Sequence, residues 1–163
     1  MHTTRRRDKA VTEDTEIKKI LMEVKHVTVA MCQDEEPYLV TLSHGFDEEK
    51  NCLYFHCARE GKKIDIMRAN PVVWGQALID GGYQQGRCDH FYKTAQFRGR
   101  VTFVDDPDEK EEALRLMIRR IDDDPEAIIR KQITPHSMGR ILIGRIDIDY
   151  MSGKKADKIV VQL

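Results

Sequence analysis

Gly61-Lys62-Lys63 is where residue types and spacing in this chain best suit chemistry. The glycine breaks the backbone just ahead of a short segment in which Ile64, Ile66 and Met67 begin an amphipathic helix, and the Asn70-Pro71 pair should end it. Two ammonium groups therefore stand at a helix entrance, where unpaired N–H groups and a partial positive charge already favour an anion. The pattern reads either as a phosphate cradle or as a solvated basic turn, and the chain has no P-loop spacing. Cys57, with Arg59, Lys62 and Lys63 close in sequence, is either an activated thiol or strand-end packing. Cys88-Asp89-His90 resembles a fragment of a metal site, but no partner motif completes the three or four ligands that zinc needs, so no metal is expected.

The remaining composition narrows the classes. At 163 residues the chain is long enough to bury a core as one domain without disulfides or metal. Its 27 Lys and Arg balance 28 Asp and Glu, so no global field favours nucleic acid or an anionic membrane. Arg5-Arg6-Arg7 is the one basic run, and residues 1–10 read as an N-terminal arm rather than a binding motif. Four cysteines without a CxxC pair, no signal peptide and no apolar run of bilayer length lead to the expectation of a cytoplasmic protein with reduced thiols.

The elements that must position these residues follow from periodicity. Ile17, Ile20, Leu21 and Val24 give one face of an opening helix over Thr12 to Val24. Strands are expected at Val27 to Cys32, Tyr38 to Phe46, Leu53 onward, Val72 to Ile79, Thr94 to Val104 and Ile141 to Tyr150, with Ile159-Val160-Val161 as a further one. Glycines and glutamines mark residues 81–88 as loop, Gly99 marks a bulge, and Gly153-Lys154-Lys155 reads as a second basic turn. Asp106 and Pro107 should cap and start a helix whose apolar face includes Ala113, Leu114, Met117, Ile118 and Ile121, and Pro125 should start a shorter one to Lys131. Six to seven strands with short hairpins and peripheral helices predict an α+β protein on a small antiparallel barrel.

With these elements in order, the chain resembles the FMN-binding split-barrel family related to pyridoxamine 5′-phosphate oxidase, and within it the nitroimidazole-reductase-like branch. The likeness is carried by RRRDK at 5–9, PYLVTLSHGFD at 37–47, LYFHCAREGKKIDIMRANP at 53–71, YKTAQFRGRVTFVDDPDEKEEAL at 92–114 and IDIDYMSGKKA at 146–156. It implies a split β-barrel homodimer with two FMN molecules at the subunit interface. By that resemblance, Thr41, Leu42, Ser43 and His44 lie along the flavin ring, and His56 and Cys57 touch the flavin and its phosphate. Lys62 and Lys63 then grip the phosphate, and Thr94 reaches the flavin. His56 matches a histidine beside the flavin, where an imidazole either protonates a reduced acceptor or only holds the cofactor by a hydrogen bond. The chain departs from the oxidase proper: Tyr38 to Leu42 carries no Arg, and the Trp- and Arg-containing C-terminal substrate segment is missing, so pyridoxamine phosphate oxidation is not expected.

The resemblance implies an FMN-dependent oxidoreductase that moves electrons from NADH, NADPH or a redox partner to a small-molecule acceptor such as a nitro-aromatic or quinone. A non-catalytic flavin carrier or sensor is the alternative, since no unmistakable acid–base pair stands out. Haem or deazaflavin in the same barrel is a third.

Overall fold

Two left-handed residues, Asp34 (φ 50°) and Glu35 (φ 65°), close the first hairpin of the computed structural model, which describes residues 5–157. Its elements run β1 (Ala10–Val11), α1 (Asp14–Glu23), β2 (His26–Gln33), β3 (Glu36–Ser43), β4 (Gly45–Asp47), β5 (Cys52–Cys57), α2 (Lys62–Ala69), β6 (Val72–Gln84) and β7 (Asp89–Phe103). Then follow α3 (Pro107–Ile121), α4 (Pro125–Gln132), α5 (Pro135–Arg140) and β8 (Leu142–Ala156). All pairings are antiparallel, in the order β3-β2-β6-β7-β8-β5-β4, with β1 added to β8. The path ends at β3 and β4 rather than closing on itself, which makes the sheet a split barrel. Eight strands instead of six or seven appear because β1 and β4 are two and three residues long, too short to show a period.

Along β2 one face is buried, with Val27, Val29 and Met31 pointing inward and Thr28 outward, whereas β5 is covered on both faces. Inside the barrel, Leu53, Phe55, Phe97 and Ile146 meet Leu21 of α1 and Ile64 of α2. A second, smaller core lies between the sheet and α3, where Cys52, Tyr54 and Ile143 meet Ala113 and Met117. Two glycines give room for rings on neighbouring strands: a Cβ on Gly144 would stand 2.2 Å from the Phe55 ring, and one on Gly75 2.0 Å from the Phe97 ring. Both pairs are direct cross-strand partners, so each ring lies over the glycine beside it.

Several expectations are corrected. The strand expected over Tyr38 to Phe46 is two strands, broken at His44, whose burial turns the chain inward. Residues 81–84 are not loop but the end of β6, because a bulge between Asp80 and Gly82 absorbs the glycines without ending the pairing. Gly153-Lys154-Lys155 is not a turn but the last part of β8, paired with β7 and β1: Gly153 is packed under Val11 and Ile17, and Lys155 pairs with Glu16 of α1 at 2.7 Å. The bulge at Gly99 is present, as a register shift between Arg98 and Gly99. Ile159-Val160-Val161 lies outside the described residues.

Candidate active site

Ser43 and His56 come together at the split. Ser43 is the last residue of β3, and its cross-strand partner is His26. His56 stands near the end of β5, on the face that Cys52 and Tyr54 turn toward α3, and it is exposed where they are buried. The two floor a cavity of about 300 Å³ roofed by Leu114, Met117 and Ile118 of α3, Ile128 of α4 and Ser137 of α5.

The roof is held by its own capping chemistry and by a polar pin. Asp106 Oδ1 accepts the Glu109 N–H at 2.8 Å, and Pro107 occupies the first turn, as the sequence predicts. Glu109 then accepts from the Tyr54 hydroxyl at 2.8 Å and from Arg145 at 2.8 Å. Burial acts to raise the Glu109 carboxyl, but hydrogen bonds from Arg145 and Tyr54 outweigh it and hold the group below the usual range. Burial, reinforced by the Glu109 bond, pushes the Tyr54 hydroxyl up. Gly45 completes the fit, since a Cβ there would meet Leu116 and Met117 of α3 at 3.0–3.1 Å.

On the other side of Ser43 the outer face of the sheet forms an open groove of about 490 Å³. Cross-strand register lays its residues in rows: Leu39, Ala30 and Trp74, then Thr41, Thr28 and Gln76, with Gln96 beyond. Leu39, Trp74 and Leu78 are 63%, 42% and 52% exposed, an apolar patch on a sheet face that is otherwise polar. Thr41 lies in this groove and Ser43, two residues on, lines the roofed cavity, so groove and cavity meet at the end of β3.

The other residues singled out in the sequence fall into separate places. Leu42 faces the barrel core, and His44 is 1% exposed with Nε2 3.0 Å from the Leu21 carbonyl. Burial pushes the His44 imidazole down to about 4, so it is neutral and donates that hydrogen bond. Cys57 is buried, and burial raises its thiol more than neighbouring Lys63 lowers it, which makes it core packing. Lys63 is half-buried in the first turn of α2, whereas exposed Lys62 leans the other way, 3.3 Å from Glu36 and 4.8 Å above the Tyr38 ring. Thr94 shares the outer face but lies three strands from Ser43, roughly 14 Å by strand spacing, and donates to the Lys154 carbonyl. The roof residues Ile128, Gln132 and Ser137 were not singled out, because α4 and α5 are short and carry no motif. Among the described residues no group of His, Cys, Asp and Glu could hold a metal. No helix there is long and apolar enough to cross a membrane.

An incompletely closed antiparallel barrel with its cleft at the split and a helical roof defines a split-barrel protein. Residues 13–155 match the family model described as pyridoxamine 5′-phosphate oxidase, and the chain belongs to that family. Among solved structures it is similar to a candidate 5-nitroimidazole antibiotic resistance protein from Bacteroides thetaiotaomicron, with 24% identity, 90% of this chain and 86% of that one covered and a TM-score of 0.77. A flavocytochrome from Azotobacter vinelandii matches at 14% identity over 99% and 75% of the two chains with a TM-score of 0.83. An FAD-binding protein from Mesorhizobium loti matches at 25% identity over 89% and 96% with a TM-score of 0.65. No curated protein matches the chain.

Proposed function

We propose that this protein is an FMN-dependent oxidoreductase, working as a homodimer, that passes electrons from NADH or NADPH to a small acceptor such as a quinone or nitro-aromatic. The supporting observation is the convergence of Ser43 and His56 where an open sheet-face groove meets a roofed apolar cavity. Family membership and relatives named as flavin-binding, among them one that binds FAD, support a flavin as the cofactor.

The residues present fit such a group. Its ring needs apolar walls, which Leu39, Trp74 and Leu78 of the groove supply, leaving the roofed cavity beside it free. Its phosphate needs donors, and the first-turn N–H groups of α2 with Lys63 supply those, Lys62 joining them by swinging from its exposed pair with Glu36, and Gly61 (φ 137°) leaving open space beside them. When bound, FMN supplies the two-electron redox chemistry. The chain's own part is to orient and to deliver a proton. The nicotinamide gives two electrons and one proton as hydride, so an acceptor taking two electrons and two protons needs one proton more. His56, facing the cavity and also exposed, can donate that proton from its ring N–H and recover one from water.

Titration with FMN and riboflavin tests the cofactor assignment. Replacing Lys62 and Lys63 together with alanine should weaken FMN binding roughly tenfold or more, the scale of a lost charge-assisted hydrogen bond of about 1.5–3 kcal/mol. Riboflavin, which lacks the phosphate, should bind both proteins alike. Unchanged FMN affinity in the double variant places the phosphate elsewhere. NADPH oxidation by the loaded protein with a quinone present then separates an enzyme from a carrier, which would bind FMN and turn nothing over.

A further inference from the structure

The cavity under α3 and α4 is selective by charge. Its walls are aliphatic, from Leu114, Met117, Ile118 and Ile121 on α3 to Ile128 and Ile133 on α4, and no Lys or Arg lines it. Of the cations around it, Arg115 pairs with Glu111 at 2.6 Å and Arg119 with Glu126 at 3.0 Å, Arg120 bonds the Leu21 and Val24 carbonyls and Arg59 the Gly139 carbonyl, while Lys131 and Arg140, next to the lining residues Gln132 and Ile141, are exposed and do not line it. The one carboxylate that lines it is Asp122, the C-cap of α3, where the helix dipole is also negative; His56 is positive only while it holds the proton it delivers. An anionic guest would lose its water there, find no Lys or Arg in the lining to pair with and meet a carboxylate at the mouth. An uncharged guest would simply bury apolar surface, at about 25 cal/mol per Å².

The polar groups facing inward define the rest of the guest. Ser137 is spent on its capping box with Thr134. Ser43, His56 and Gln132 remain, and hydroxyl, imidazole and amide can all donate to an oxygen. About 300 Å³ lies at the small end of ligand pockets, enough for one or two rings.

We infer that this cavity is the acceptor pocket, that it takes a small uncharged ring bearing oxygen acceptors, and that Asp122 turns anionic rings away from it. The inference rests on the flavin reading above and names the substrate class of that site. It sets the protein apart from a reaction on a phosphorylated ring, which would need a permanent cation, Lys or Arg, where this cavity has none.

Calorimetric titration of the oxidised, FMN-loaded protein with naphthoquinone and naphthoquinone sulfonate, without any electron donor, tests it. The neutral ring should bind at least about tenfold tighter than the sulfonate, a difference of about 1.4 kcal/mol. Asp122→Asn, at an exposed helix end that should fold normally, should tighten sulfonate binding about threefold and leave the neutral ring unchanged. Ile118→Trp should fill the cavity and abolish binding of the neutral ring while FMN occupancy, read from flavin absorbance, stays the same. Equal affinity for the two rings, no binding of either, or an equal change in both on Asp122→Asn overturns the inference, and the flavin reading survives as long as FMN is bound. If FMN does not bind but the protein alone still prefers the neutral ring, the pocket assignment stands and the flavin reading falls.

Discussion

His44 and His56 lie twelve residues apart on adjoining parts of the split, and their surroundings give them opposite roles. His56 is exposed and lines the cavity. His44 is enclosed, and Arg120, which reaches the same Leu21 carbonyl, adds a positive charge beside it. Burial first, then that charge, hold His44 down to about 4 from its ordinary 6.5. The sign of the stability effect follows. Between those values the unfolded chain binds a proton that the folded protein does not, so stability is complete above about pH 6.5 and falls as pH drops toward 4. The loss should be on the order of 3 kcal/mol. His44→Gln, which keeps a donor for the Leu21 carbonyl but cannot titrate, should flatten this part of the profile in urea melts taken at a series of pH values. An unchanged slope between wild type and variant would assign the acid sensitivity to other groups.

At the scale of elements, what the sequence revealed and what it hid divide by the range of the cause. α2 runs Lys62–Ala69 and α3 starts at Pro107, as the glycine, the capping aspartate and the prolines predict, because a helix end is set by residues within one turn of it. Gly99 was readable as a bulge for a similar reason. The continuation of β6 through Gly82, and the place of Gly153 inside β8, depend on partners some ten to a hundred and forty residues away in sequence, and no local pattern carries that. The same split runs through the site: Lys62 and Lys63 stood out by spacing and His56 by resemblance, whereas the divergence of the two lysines and the roof over His56 are tertiary facts. Gly144 shows how specific such a partner can be. With Phe55 directly across the ladder, a Gly144→Ala methyl must displace the ring, and the cost should be about 1–3 kcal/mol in urea unfolding. Phe55→Leu should recover part of it in the double variant, since coupling between contacting residues is what such a cycle measures. Additive losses would mean the two side chains do not compete for the same space.

For the whole molecule, the outer face of the sheet is the surface that one chain leaves unfinished. Leu39 and Trp74 flank Ala30 in one row across three strands, with Trp74 edge-on to Tyr150 at 5.8 Å, and Leu78 adds to the patch. Water against such a face is unfavourable, and β3 at its margin is also an unpaired edge. A second copy related by a two-fold axis would cover the patch with its own, and it would enclose the groove that joins the roofed cavity at Ser43. Thr94, remote from Ser43 within one chain, would then face the partner from the same surface. Sedimentation equilibrium should therefore give twice the 19.0 kDa chain mass. Trp74→Glu places a charge in the middle of the patch without touching the barrel core, because the side chain points outward, so the variant should sediment as a folded monomer. FMN affinity should fall with it, by about tenfold or more if the partner's face closes the cleft. A wild-type protein that sediments at the single-chain mass with FMN at full occupancy would remove the second copy from the proposal, leaving a site that one chain completes on its own.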